Sequence, residues 1–106
     1  MHYGLKEEII KKIRRVFAKY PEIDSALLYG SRAKGNFRPG SDIDLTLVGD
    51  NLHLHLLNKI SLDLDDLLLP YTMDLSIYNH ITNPGLIDHI ERVGKAFYRK
   101  SEEEAP

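Results

Sequence analysis

The segment from Asp42 to Val48 alternates polar and apolar residues with a period of two, which is typical of a β-strand with one buried face. Its apolar face would carry Ile43, Leu45 and Leu47. Both carboxylates, Asp42 and Asp44, would therefore point to the opposite side, together with Thr46. The strand thus requires a sheet that is apolar on one face and acidic on the other.

Three segments have the apolar spacing of amphipathic helices. They are expected at Leu5–Tyr20, at Leu56–Leu68 and, after the capping pair Asn83 and Pro84, up to Gly94. Pro21 and Pro70 stop the first two. The start of the second helix stays open, because residues 52–56 also alternate like a strand.

Three further short segments are expected to be strands. They are Ser25–Tyr29, Tyr71–Tyr78 and Lys95–Tyr98. In the second of them, Asp74 lies on the polar face with Thr72 and Ser76. Gly30–Gly35 is compatible with one helical turn, and the turn formers that follow it lead into the Asp42 strand.

Composition restricts the classes of protein that fit. A length of 106 residues is expected to form one core, so that a second functional half would come from another subunit. The net charge of −2 argues against a protein that coats nucleic acid. The absence of cysteine, of a signal-peptide pattern at the N-terminus and of a long apolar run favours a cytoplasmic location.

Gly30, Ser31 and the two aspartates together indicate phosphate chemistry. A glycine lets the backbone approach a phosphate closely, and the Ser31 side chain adds a hydroxyl. Mg²⁺ is held by a few carboxylates plus substrate phosphate oxygens, which suits Asp42 and Asp44. Each dipeptide or triplet alone is weak evidence, and Asp74 by itself fits an ordinary structural aspartate equally well.

The spacing of these residues resembles a known family signature. Gly30-Ser31, ten intervening residues and Asp42-Ile43-Asp44 match the GS-x10-DxD pattern of DNA polymerase beta-like nucleotidyltransferases. The string from Gly30 to Leu45 resembles the minimal nucleotidyltransferase (MNT) branch of that family. The resemblance covers nearly the whole chain.

This resemblance implies roles for individual residues. Asp42, Asp44 and Asp74 would be the catalytic carboxylates and would hold two Mg²⁺ ions, with the third carboxylate assisting an attacking hydroxyl. Gly30, Ser31 and Arg32 would bind the triphosphate. Further phosphate-facing candidates are Lys34 and Arg38, which could equally be solvated surface charges.

The fold that the resemblance implies is α/β, a small mixed sheet with helices on one face, as in the palm-like core of the family. The nucleotidyltransferase domain would span residues 1–100. Residues 101–106 lack large apolar side chains and are expected to form a disordered acidic tail.

MNT proteins are commonly encoded beside a HEPN protein, typically a ribonuclease toxin. The resemblance therefore implies an antitoxin that transfers AMP from ATP to a hydroxyl of the HEPN partner, most plausibly a tyrosine, within a hetero-oligomer. The alternative is a non-catalytic module that neutralises the partner by binding alone. An antibiotic-modifying enzyme is a third reading, which the short chain argues against.

The histidines are left out of the predicted site. His53 and His55 have no evident third metal ligand nearby, and exposed positions on a helix explain them. His80 and His89 have no evident partners in the sequence and are expected at the surface.

Overall fold

The computed structural model describes residues 1–103 as an α/β fold, which confirms the predicted class. Its helices are α1 (Glu7–Ala18), α2 (Gly30–Lys34), α3 (Leu54–Asp65), α4 (Pro84–Val93) and α5 (Lys100–Glu103). Its strands are β1 (Ser25–Tyr29), β2 (Ile43–Val48), β3 (Met73–Ile77) and β4 (Lys95–Arg99). A short 3₁₀ turn, Tyr78–His80, follows β3.

The four strands form one mixed sheet in the order β3-β2-β1-β4. β1 pairs antiparallel with both β2 and β4, whereas β2 and β3 are parallel. Parallel neighbours begin at the same edge of the sheet. The residues that open β2 and β3 therefore lie side by side.

The apolar face of the sheet packs against α1 and α3. The buried cluster takes residues from each layer: Ile13 and Phe17 from α1, Leu28, Leu45 and Leu47 from the sheet, and Ile60 and Leu64 from α3. Because β2 alternates, Asp44 and Thr46 face away from this core. Packing on one face thus leaves the opposite face for polar side chains.

The helix starts follow local capping. At α4 the side chain of Asn83 accepts hydrogen bonds from the backbone amides of Gly85 and Leu86, and Gly94 is the C-cap, as predicted. The start of α3, which the sequence leaves open, is set by His53, whose Nδ1 accepts a hydrogen bond from the Leu56 amide at 3.3 Å. His53 is thus an N-cap rather than a residue on the helix face.

Within residues 1–103, no helix is long and apolar enough to span a membrane. The predicted acidic tail begins inside α5 at Ser101, and its residues 104–106 lie outside the described part of the chain.

Candidate active site

Asp44 and Asp74 occupy the same register position on two parallel strands, β2 and β3. Adjacent strands lie about 4.8 Å apart, so side chains at paired positions are neighbours on one face. Asp42 lies two residues before Asp44, immediately ahead of β2. Asp42 and Asp74 are exposed and Asp44 is half-buried. The structure thus brings all three aspartates to one solvent-accessible edge of the sheet.

The electrostatics of Asp44 reflect this grouping. Burial raises the pKa of its carboxyl above the ordinary value, and the negative charges of Asp74 and Asp42 raise that pKa further. A positive charge on the His89 ring would act in the opposite direction. Carboxylates that disfavour one another's ionisation in this way are stabilised by a nearby cation.

Gly30 begins α2 directly beside Asp44. Its φ of +73° lies in the left-handed region, which side chains of L-residues rarely adopt. A Cβ at this position would overlap Oδ2 of Asp44. Glycine is therefore required both by the backbone conformation and by the close approach of the carboxylate. Ser31, partly buried, follows at the next position.

Arg32, predicted to bind the triphosphate, is engaged inside the protein. Its side chain is buried, with 2% of the residue exposed, and the guanidinium donates to the backbone carbonyls of Tyr3, Pro39 and Ser41. It also stacks on the Phe37 and Tyr71 rings, with distances of 5.3 and 5.0 Å from the guanidinium carbon to the ring centroids. Arg32 therefore holds the loop that precedes Asp42, and its contact with the triphosphate stays a prediction.

Lys34 and Arg38, the two further basic candidates, are exposed. Their positions on α2 and on the following loop leave both side chains open to solvent. A phosphate-facing role for them stays a prediction.

His89 was expected at the surface without a partner, and this expectation is wrong. The Gly30 amide donates to its Nε2 at 3.1 Å, across 59 positions of sequence. The signal in the sequence was the helical spacing, because His89 lies three residues after Leu86 and four before Val93, on the inward stripe of α4. A histidine on an otherwise apolar stripe indicates a buried polar contact.

A polar line extends from the carboxylates along the same face. Ser76 Oγ donates to Thr46 Oγ1 at 2.9 Å, between positions that pair in the sheet. Burial raises the pKa of the Tyr29 hydroxyl, the hydrogen bond to Ser76 opposes that rise, and the charges of Asp74 and Asp44 add to it. The Tyr29 hydroxyl thus lies close to the aspartates.

The donor set fits a magnesium ion that is completed by its substrate. In the described part of the chain, no three His, Cys, Asp or Glu side chains are grouped closely enough to hold a metal by themselves. Mg²⁺ in phosphoryl-transfer sites takes one or two carboxylates and fills its remaining positions with phosphate oxygens and water. Asp44 and its neighbour Asp74 supply that number of carboxylates.

Comparison with known families gives a match over most of the chain. Residues 11–103 match the family described as "Polymerase beta, Nucleotidyltransferase". No curated protein matched the sequence.

Several solved structures have a similar fold. A chain of a toxin–antitoxin crystal structure with AMP-PNP superposes with a TM-score of 0.67 at 23% identity, covering 93% of this chain and 77% of that one. A structure of the tri-AMPylated Shewanella oneidensis HEPN toxin in complex with MNT antitoxin gives a TM-score of 0.66 at 18% identity, with coverages of 94% and 77%. A Sulfolobus solfataricus structure classed as a nucleotidyltransferase gives a TM-score of 0.58 at 15% identity, with coverages of 90% and 81%. At these identities the similarity establishes the fold.

Proposed function

Because this chain belongs to the polymerase beta nucleotidyltransferase family, we propose that it transfers AMP from ATP to a hydroxyl of a HEPN-type partner protein and thereby acts as an antitoxin. One observation carries the proposal. Asp44 and Asp74 are paired on adjacent strands beside the left-handed Gly30 turn, at an edge of the sheet that solvent reaches.

The residues at this edge suit nucleotidyl transfer. The triphosphate would lie against Gly30 and Ser31, with the three aspartates facing its phosphates. Mg²⁺, held jointly by the phosphate oxygens and by Asp42, Asp44 and Asp74, would neutralise the negative charge that repels the attacking oxygen. The acceptor oxygen would bond to the α-phosphorus as the α–β phosphoanhydride bond breaks and pyrophosphate leaves. Asp74, the more exposed of the two paired carboxylates, would take the hydroxyl proton.

A protein acceptor explains why the site is open. Two of the three carboxylates are exposed, so that a hydroxyl on another protein can reach them. The solved complexes of similar fold support this choice, since one holds an AMPylated HEPN toxin with an MNT antitoxin. A tyrosine hydroxyl is the acceptor we favour, because it is a nucleophile that can extend from a protein surface.

The test uses labelled ATP, Mg²⁺ and a HEPN-type protein encoded beside this chain. Mass spectrometry of the partner should show one or more added AMP units, with loss of its ribonuclease activity. The Asp44→Asn variant should not label the partner, because the change removes the carboxylate charge. The variant should still form the complex, because the side chain keeps its size. Asp50→Asn, in the exposed loop after β2, is the matched control and should label normally.

The same experiment separates catalysis from simple binding. Asp44→Asn could inhibit the partner as strongly as the unmodified chain does, with no change in the mass of the partner. This result would support a non-catalytic binding module. Absence of both label and inhibition would contradict the antitoxin role altogether.

A further inference from the structure

One imidazole contacts both residues at the junction between β1 and α2. The His89 Nε2 accepts a hydrogen bond from the Gly30 amide. The His89 ring also packs edge-on against the ring of Tyr29, with centroids 6.2 Å apart and planes at 80°. Tyr29 is the last residue of β1 and Gly30 the first of α2. A side chain from α4 thus contacts the Gly30 backbone and the Tyr29 ring, in the two residues joined by one peptide bond.

The backbone at this junction depends on contacts with other elements, because its second residue is a glycine. Glycine has the widest conformational freedom of any residue, and Gly30 adopts a φ of +73°. Its α-carbon also lies so close to Asp44 Oδ2 that no side chain fits between them. Any displacement of the turn therefore changes its position relative to the carboxylate.

We infer that His89 is a positioning residue of the nucleotide site, which fixes the Gly30 turn against Asp44 so that Ser31 and the carboxylate face the same triphosphate. The inference rests on the proposed function. Nε2 accepts the hydrogen bond from the Gly30 amide and therefore acts as the unprotonated nitrogen of the ring in this contact. The Gly30 amide is consequently hydrogen-bonded within the protein. What the turn contributes to triphosphate binding is its shape and the Ser31 hydroxyl.

Two variants of His89 separate the hydrogen bond from the ring contact. His89→Phe keeps an aromatic ring for Tyr29 but cannot accept the Gly30 amide. His89→Gln places a carbonyl oxygen near the position of Nε2 and can accept it. His55→Phe, at an exposed position on α3, is the matched control for the change of residue type.

Calorimetry with Mg·ATP, thermal melting and amide exchange of Gly30 are measured on the full chain. We expect His89→Phe to bind Mg·ATP roughly tenfold more weakly, which is the usual effect of losing one well-placed hydrogen bond. Its Tm should change by only a few degrees, and its Gly30 amide should exchange faster. His89→Gln should regain most of the affinity, and His55→Phe should match the unmodified chain.

Equal affinity of all four proteins for Mg·ATP would overturn the role of His89. So would a loss of affinity in His89→Gln as large as in His89→Phe. If His89→Phe does not fold, His89→Ala takes its place with the same expected loss. If the unmodified chain itself does not bind Mg·ATP, the proposed function fails, and the nucleotide role of His89 fails with it, even where Gly30 exchange shows the hydrogen bond intact.

Discussion

Gly30 has a left-handed backbone conformation and lies against the Asp44 carboxylate. Gly30→Ala would force a side chain into the left-handed region and against Oδ2 of Asp44. Gly35→Ala is a matched control, since Gly35 has a φ of +90° and nothing lies within 4 Å of an added Cβ. Denaturant unfolding should show a loss of about 1–2 kcal/mol for Gly35→Ala, from conformation alone. Gly30→Ala should lose more and should also weaken Mg·ATP binding.

Equal losses of stability in these two variants, with unchanged nucleotide affinity, would contradict the close approach of Gly30 to Asp44. The comparison isolates that approach because both glycines have positive φ values and differ in what surrounds them.

Asp42 and Asp74 offer a second prediction at this scale. Asp42→Asn and Asp74→Asn should each lower transfer by at least about 100-fold, because each removes a carboxylate from the reacting phosphate. Both residues are exposed, so the Tm should stay within a few degrees. A labelled-AMP assay and thermal melting measure the two effects. Transfer retained in Asp74→Asn would remove Asp74 from the site, and unfolding of either variant would show a structural role.

Individual residues also show where sequence reasoning reaches its limit. The period of two predicts Asp44 on the polar face of β2 and Asp74 on the polar face of β3, because strand geometry decides the side that each residue takes. That the two faces coincide depends on the parallel pairing of the strands. Arg32 was read as a phosphate ligand from its place after Gly30-Ser31. Its burial depends on Tyr3 and Tyr71, which are distant in sequence and could not be foreseen from local pattern.

At the scale of elements, Arg32 connects α2 to the loop before β2. Arg32→Lys would lose the planar fork that donates to Ser41 and Pro39, and a single ammonium group cannot replace it. We expect the free energy of unfolding to fall by about 3 kcal/mol. Arg38→Lys, at an exposed position, should change it by less than about 0.5 kcal/mol.

Urea unfolding of the two arginine variants provides the measurement. Equal stability of Arg32→Lys and the unmodified chain would show that the guanidinium contacts contribute nothing to holding this loop. Loss of nucleotide affinity without loss of stability in Arg32→Lys would instead restore Arg32 to the predicted set of triphosphate ligands.

The turn after α1 is joined to α3 through Tyr20, whose hydroxyl donates to the Asp63 carboxylate. Burial of the ring and this bond raise the pKa of Tyr20 to about 12. A raised folded-state pKa stabilises the protein below the unfolded value of about 10. That stabilisation is then lost as the pH rises toward 12.

Tyr20→Phe should therefore be less stable than the unmodified chain at pH 7, by about 1–3 kcal/mol for a hydrogen bond to a charged group. The difference should shrink between about pH 10 and pH 12, where the unfolded chain gains stability by releasing the tyrosine proton. Urea unfolding at several pH values measures it. A constant difference across this range would show that the bond to Asp63 does not perturb Tyr20.

Most elements were predictable because their signals are local. β1 has the bounds that its apolar run and Gly30 indicated, and α4 begins and ends at its predicted caps. α1 is shorter than the apolar pattern, because Leu5 and Tyr20 are buried beyond its ends rather than within it. The strand order β3-β2-β1-β4 needs contacts between distant segments, and a local pattern does not contain it.

At the scale of the whole molecule, one face of the sheet forms the core and the opposite face carries the candidate active site. The apolar face holds α1 and α3, and the opposite face gathers the aspartates with Tyr29 and His89. The net charge of −2 adds to the local repulsion of an anionic ligand. Nucleotide binding by the whole chain should therefore depend on a divalent cation.

Thermal melting of the full chain tests this dependence. A ligand that binds only the folded state, present at 100 times its dissociation constant, adds about 2.7 kcal/mol of stability. For a domain of this size that corresponds to a rise in Tm of roughly 10 °C. ATP with Mg²⁺ should produce such a rise, whereas ATP with a chelator should produce little or none, because the carboxylates then repel the triphosphate. Asp44→Asn with ATP and Mg²⁺ should fail to show the full rise, and Asp50→Asn should show it. An equal rise with chelator present would mean that the nucleotide binds away from the aspartates, and the assignment of the sheet edge as the active site would be wrong.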